Sequence, residues 1–535
     1  MGTLPKVAAE GRMARLCAIA CLGIGQAVAL GVVAFATRAA FGAMADGQVP
    51  RSLTFFLLVG GGIGVGILQV AVRVQAEAVG QSFASSLRHT LYAHIAGMNQ
   101  SDLAARRQGS LSMRFVGDLS AARAWAGGGI AQAIPALVIL PAALLTLVLL
   151  QPALAVAALL PLFVALILAG LFASGLGEQH RQLRRRRSGI ALSMMERVKM
   201  APELDLAGRT TSELSRLDKA GRSLAREATT RRMQGEWLRV LPQLGAALGG
   251  AAVIWTASRG GLPTPETAAT LAILPIVVSP LIDLAAVWDR WCAWRIARDA
   301  YMRLLVQPSQ LRRVVPRGGP VPVIFKGRTH LGRTVDVSIS AGALATIWGP
   351  PGSGKSDLAR LIAAQNQPGA GYVAYGLNDN KLPRIAYVGS APLAPKGSLR
   401  RTLTLGIAPR PGGRDIRRVA QAYGLRRVLD RIGSTRGHLP EGGGGLSTHE
   451  QLAIGLTRAA LMRPDLIVID HPAFCPDHVP LIRKLHEETG ATLVVVTKPE
   501  LFPGAVHVMT NARDQAALRQ EKLPLENVGL RQTKV

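Results

Sequence analysis

Six apolar stretches dominate the N-terminal part of the chain, near 15–37, 53–73, 129–150, 153–175, 237–258 and 267–288. Each has about the 20 residues that a helix needs to cross a bilayer. Their spacing is uneven. The second and third are more than fifty residues apart, as are the fourth and fifth, and the other gaps are short. Inside the long connections the pattern turns amphipathic, with Leu87, Leu91 and Ile95 in one and Leu204, Leu214, Leu217 and Leu224 in the other. Apolar residues at that spacing predict helices there too. Residues 1–305 therefore read as an α-helical membrane domain of six transmembrane helices with long extensions.

Past residue 305 the pattern changes. Residues 306–320 are rich in Pro, Arg and Gly and read as a linker. Strand-like runs follow at 322–325, 335–339, 343–348, 385–388, 466–469 and 492–496. Helical segments alternate with several of them, which predicts an α/β domain with parallel strands over 321–512. Residues 513–535 are polar and are expected to be disordered.

At 535 residues, more than one domain is required in any case. A mean hydropathy of +0.26 accompanies 62 Lys and Arg against 33 Asp and Glu, a net charge of +29. Soluble nucleic-acid binders are basic but not apolar, whereas membrane proteins with basic cytoplasmic loops are both. The run Arg184 to Arg187 follows the fourth span and lacks the interleaved aromatics of a single-strand binding surface. No nucleic-acid partner is expected. With Lys and Arg marking the cytoplasmic side, both termini and both long connections lie inside. The basic then apolar N-terminus has the look of a signal peptide, but the stretch is too long and further spans follow. A retained first transmembrane helix is expected.

Smaller signals refine this picture. Cys17, Cys21, Cys292 and Cys475 form no disulfide framework and read as small buried apolar residues. Gly60, Gly62, Gly64 and Gly66, and Gly245 with Gly249, offer spacings for close helix packing. Pro242, Pro275 and Pro280 can kink the last two spans. Asp283, inside the sixth, is costly in lipid. It should face a cavity or a partner, or else sit near the cytoplasmic end where water reaches it.

The second half carries phosphate chemistry. Gly349-Pro350-Pro351-Gly352-Ser353-Gly354-Lys355-Ser356 fits the pattern G-x-x-x-x-G-K-S/T between a predicted strand and a predicted helix. The glycines let backbone N–H groups point at phosphates, and the helix N-terminus adds positive potential. Lys355 would reach the β- and γ-phosphates of ATP, and Ser356 would bind Mg²⁺ together with Asp470, which ends the apolar run 466–469. Asp357 is awkward beside a phosphate unless it turns away. After Asp470 comes His471, where a water-activating carboxylate is expected.

Six spans, two long intracellular connections and a C-terminal phosphate loop together resemble an ATP-binding cassette exporter half-transporter. The resemblance covers nearly the whole chain. Residues 86–118 and 194–208 look like the family's two cytoplasmic extensions with their coupling regions. Leu439 to Gly443 precede Leu446-Ser447 as the family's loop precedes its signature, and Arg458 to Leu461 and Pro464-Asp465 lead into the Asp470 strand. Asp477 stands where the family has a D-loop aspartate.

The departures fall on the catalytic parts. The signature reads Leu446-Ser447-Thr448-His449-Glu450, so side chains crowd the approach to the partner's γ-phosphate and Glu450 adds negative charge. Ser390 aligns with the Q-loop glutamine, His471 with the catalytic glutamate and Lys498 with the switch histidine. The adenine-stacking aromatic aligns near Gly327, which leaves Phe325 or His330. A neutral His471 could itself accept a proton. Lys498 could hold the γ-phosphate without activating water.

The resemblance thus implies an exporter subunit that binds ATP with Mg²⁺, hydrolyses it weakly or not at all, and works as a dimer, preferably with another half-transporter. A multi-pass protein of a bacterial inner membrane is expected. The cargo is an unidentified small molecule, lipid or peptide, and nothing ahead of the first span reads as a peptidase module. Two alternatives remain open: a nucleotide-responsive membrane regulator that does not pump, and a homodimeric exporter using non-standard catalytic residues.

Overall fold

The computed structural model describes residues 4–510 apart from 106–110, 112–113, 261, 310–312, 316–317, 330–333, 378–380 and 391–393. The polar tail and His330 lie outside the described residues, as does part of the first extension. The described chain divides into two compact units, residues 1–98 with 103–310 and residues 99–102 with 311–535.

In the first unit the apolar stretches lie on helices Arg12–Ala45, Ser52–Ala96, Ala131–Leu150, Pro152–Leu206, Thr210–Gly260 and Thr264–Leu305. Among the described residues, six helices are long and apolar enough to span a membrane. Most outrun their apolar stretches because the amphipathic segments continue the same helix. Leu87 and Leu91 accordingly bury one face of Ser52–Ala96 beside Phe83, Trp294 and Tyr301. In the other extension Leu214 and Leu217 stay exposed. The third span is entered through π-helical turns, Arg114–Asp118 and Ala124–Ile130, on either side of Leu119–Arg123.

The glycine spacings separate into two cases. At Gly249 a Cβ would stand 2.6 Å from the Ala158 carbonyl oxygen, and at Gly245 it would stand 2.7 Å from the Ala165 Cβ. Here small residues do let two helices approach. Gly60, Gly62, Gly64 and Gly66 face open space within this chain, and it is Gly61 that meets Val33. Residues two apart point to nearly opposite sides of a helix, so that series could not share one packed face. Cys17 and Cys21 also depart from expectation, being exposed on the outer face of their helix while Cys292 is buried. A weakly polar thiol needs no protein cover against lipid.

The second unit is built on a five-stranded parallel sheet in the order Val506–Met509, Leu344–Trp348, Thr492–Val496, Leu466–Asp470, Ile385–Gly389. Both faces are covered, which explains the unbroken apolar run at Leu466–Asp470. Leu466 and Val468 pack under the helix Lys355–Ile362, and Ile467 and Ile469 pack under Thr448–Met462 and Val479–Thr489. The runs at 322–325 and 335–339 do not join this sheet. Val323–Arg328 pairs antiparallel with Thr334–Ile339 and with Ala370–Ala374. A connection of five residues is too short for the crossover that parallel pairing needs. Phe325, one of two candidates for stacking on adenine, is fully buried in this layer's core and presents no face to a ligand.

Candidate nucleotide-binding site

Parallel register places the key loops together. All five strands end at one edge of the sheet, where ligands bind in folds of this kind. Leu344–Trp348 feeds the phosphate loop there. Asp470 pairs with Gly389 across neighbouring strands, so Ser390 and His471 leave the sheet side by side. Val496 pairs with Ile347, so Lys498 emerges two residues beyond, exposed.

The loop itself needs its glycines. Gly349 has φ 151°, and a Cβ there would lie 2.4 Å from Thr510 Oγ1. That hydroxyl donates to the Trp348 carbonyl at 3.1 Å and lies 2.6 Å from Ser353 Oγ, fastening the loop to the edge strand. Gly354, with φ 88°, turns the chain into the helix Lys355–Ile362. Lys355 Nζ donates to the Gly349 and Pro350 carbonyls at 2.8 and 2.9 Å, so in this state the lysine braces its own loop. Asp357 sits in the first helical turn, where a carboxylate is favoured by the dipole. Its Oδ2 is buried without a hydrogen-bond partner among the described residues.

Asp470 is held from two sides. Ser356 Oγ donates to its Oδ1 and Tyr387 Oη donates to its Oδ2, both at 3.2 Å. Burial, and then the Asp470 charge, push the Tyr387 hydroxyl up to about 12, so it stays a donor at neutral pH. The Ser356 hydroxyl and the Asp470 carboxylate are hard oxygen donors side by side, which fits Mg²⁺. Sequence reasoning missed Tyr387. It opposes Val468, on the same strand face as Asp470, a relation visible only once the strands are paired.

His471 is 6% exposed. Its Nδ1 accepts a hydrogen bond from the Ala473 backbone N–H at 3.1 Å. The neutral ring then carries its proton on Nε2, an atom that is buried with no hydrogen-bond partner among the described residues. Burial, aided by nearby His449 and His478, lowers its tendency to protonate against the opposing pull of Asp470. The only lone pair the ring could offer as a base is already engaged.

At the signature, Ser447 caps the helix Thr448–Met462. Its Oγ accepts from Glu450 N at 3.2 Å, and Glu450 Oε2 accepts from Ser447 N at 2.8 Å. Glu450 also pairs with Arg431 at 3.1 Å. The carboxylate therefore turns back onto its own helix terminus and places its negative charge there. Burial would raise its pKa, but the hydrogen bonds from Ser447 and Arg431 hold it below the usual carboxylate range. His449 stacks on His478 with ring centroids 5.4 Å apart. Leu446 is buried, and neither it nor Ser447 bonds to the phosphate loop among the described residues.

With this geometry in place, the comparisons with known proteins are specific. Residues 16–231 match the model of the ABC transporter transmembrane region, and residues 333–474 match that of the ABC transporter. The zinc import ATP-binding protein ZnuC of Paramagnetospirillum magneticum is 36% identical over 140 residues, 26% of this chain and 48% of that protein. The aliphatic sulfonates import ATP-binding protein SsuB of Rhodopseudomonas palustris is 30% identical over 174 residues, 31% of this chain and 59% of that protein. The chain thus spans about half the length of the curated relatives it matches. A bacterial Atm1-family ABC exporter with ATP bound shares the fold, with a TM-score of 0.75 at 17% identity over 94% of this chain and 93% of that one. Two domain models in one chain, six membrane-spanning helices and an exporter fold agree: the chain is an integral membrane protein of the ABC transporter family, with the architecture of an exporter half-transporter.

Proposed function

We propose that this chain is the ATP-binding, weakly hydrolysing subunit of a dimeric exporter, paired by preference with a catalytically intact homologue. The observation that carries this reading is the capping box at Ser447 and Glu450. A helix N-terminus attracts phosphate because its first N–H groups are unpaired. Here the helix's own carboxylate takes the Ser447 N–H and brings a negative charge to the same place. A partner's γ-phosphate meets a terminus with two of its four N–H groups already engaged and a carboxylate beside them, behind the side chains of Thr448 and His449.

The chain's own nucleotide fares better. Lys355 would exchange its loop carbonyls for the β- and γ-phosphates, the glycine-shaped loop would supply N–H donors, and Ser356 and Asp470 would hold Mg²⁺. When bound, that ion supplies charge neutralisation at the phosphates. None of the residues at the three catalytic positions then activates water. His471 accepts a hydrogen bond from the Ala473 N–H and so offers no free base, Ser390 is too short to replace a glutamine, and Lys498 binds charge without accepting a proton. Binding energy remains available to close a dimer and shift the membrane helices. With both long extensions inside by the charge rule, that closure takes place on the cytoplasmic side of a bacterial inner membrane.

The test is the purified chain in lipid nanodiscs, alone and with a candidate partner. Saturable ATP binding with negligible turnover alone, and turnover with a partner that carries an intact signature and glutamate, is expected. Brisk turnover by the chain alone would remove the reading in favour of a self-sufficient homodimer.

A further inference from the structure

The membrane unit holds a cavity of about 260 Å³ among the helices Arg12–Ala45, Ser52–Ala96, Ala131–Leu150 and Thr264–Leu305. Its wall is polar in a way that lipid does not call for. Gln26, Gln69, Gln132 and Ser279 bring amides and a hydroxyl, Arg73 brings a cation and Asp283 an anion. Among the described residues neither Arg73 nor Asp283 forms a direct ion pair, although both line the same space and Asp283 lies in the field of Arg73 and Arg290. Gln26 is 5% exposed and its amide makes no hydrogen bond among the described residues. Gln132 is oriented: its Oε1 accepts from Arg290 Nη1 at 2.6 Å, which leaves its NH₂ to donate. Pro280, also on the wall, has no N–H, so the Ile276 carbonyl lacks its usual helical donor.

Unpaired charges and a buried unpaired amide are costly inside a membrane domain, and they mark sites for polar ligands. An apolar ligand would leave neither charge in a direct ion pair, and a simple ion would pair only one. A solute that carries both opposite charges, with an amide between them, satisfies the set. We propose that this cavity binds a small zwitterion of dipeptide size, its carboxylate on Arg73, its ammonium on Asp283 and its amide among the glutamines. A planar guanidinium suits a carboxylate, and the volume suits a small solute better than a lipid. This names a cargo class for the exporter subunit proposed above and rests on that reading of the membrane unit.

The experiment measures equilibrium binding of radiolabelled alanylglutamine to the full chain in nucleotide-free nanodiscs. The N-acetylated form, which lacks the ammonium, and the C-amidated form, which lacks the carboxylate, are measured beside it. Arg73→Gln should weaken the parent about ten- to hundredfold and leave the amidated form unchanged. Asp283→Asn should weaken the parent by a similar factor and leave the acetylated form unchanged. The unaffected ligand in each case shows that the variant is folded. Equal losses for all three ligands, or no saturable binding to the unsubstituted chain, overturns the proposal. So does a cavity that takes tetraphenylphosphonium in place of alanylglutamine. ATP binding in the same samples separates the two readings: intact ATP binding without dipeptide binding removes only the cargo, and dipeptide binding without ATP binding removes only the ATP-driven exporter.

Discussion

Ser356 Oγ lies 3.2 Å from Asp470 Oδ1, although 114 positions separate the two residues in the chain. This contact joins the helix after the phosphate loop to the end of the central strand, at the place proposed above for Mg²⁺ and the phosphates of a nucleotide. The lysine beside it gives the first prediction. Lys355→Ala should weaken ATP binding by about tenfold or more, since a hydrogen bond to a charged group contributes roughly 1.5–3 kcal/mol. Titration with a fluorescent ATP analogue reads this directly, and retained affinity would falsify the phosphate-cradle assignment.

Tyr387→Phe removes the second donor to Asp470. The expected stability loss is about 1 kcal/mol, and the Mg²⁺ dependence of ATP binding should shift to higher metal concentration. ATP affinity without Mg²⁺ should not change. A uniform loss with and without metal would mean that Tyr387 only supports the core.

Replacement of His471 tests the engagement of its ring. His471→Glu alone should not bring strong ATPase activity, because Ser390, Lys498 and the self-capped signature helix are unchanged. His471→Ala should leave any residual turnover where it was. A fall after the alanine substitution, in a phosphate-release assay, would show that the imidazole acts as a base.

Acidification should destabilise the nucleotide domain. Burial lowers the pKa of both His471 and His478 below the ordinary histidine value of about 6.5. The folded state therefore binds fewer protons than the unfolded state. Their stabilising contribution is full above about pH 6.5 and is lost as pH falls toward the lowered folded values. Thermal melts between about pH 7.5 and 5.5 should show a decline that flattens in His471→Gln. Glu450, also lowered, releases its contribution only in the more acidic carboxylate range, so the two effects separate by pH window.

Gly249→Leu should disrupt the membrane unit, because its Cβ would stand 2.6 Å from the backbone oxygen of Ala158. Overpacking of this kind costs about 1–3 kcal/mol. Gly62→Leu, in open space within the chain, serves as the comparison. Similar melting temperatures for the two variants in detergent would show that the close approach at Gly249 carries no weight.

Hydrophobic period and charge alone made much of this protein legible. Six apolar stretches of the right length permit little besides six spanning helices, because lipid satisfies no backbone group. The phosphate loop was equally plain, since its glycines and lysine are contiguous. The identities at 390, 471 and 498 are local facts as well, and the proposal of weak hydrolysis rests on them without a structure. Other matters depended on which segments meet. Pairing decided that 323–328 and 334–339 form a separate antiparallel layer, which withdrew Phe325 from any ligand. Register set Tyr387 beside Val468, within hydrogen-bond reach of Asp470, and cap geometry fixed the Glu450 charge at its own helix terminus. The cavity among Gln26, Arg73 and Asp283 required four helices to converge, and no period along one chain records which faces of different helices share a space. Covalent order fixes what each segment can become; long-range packing decides which side chains stand free to meet a ligand.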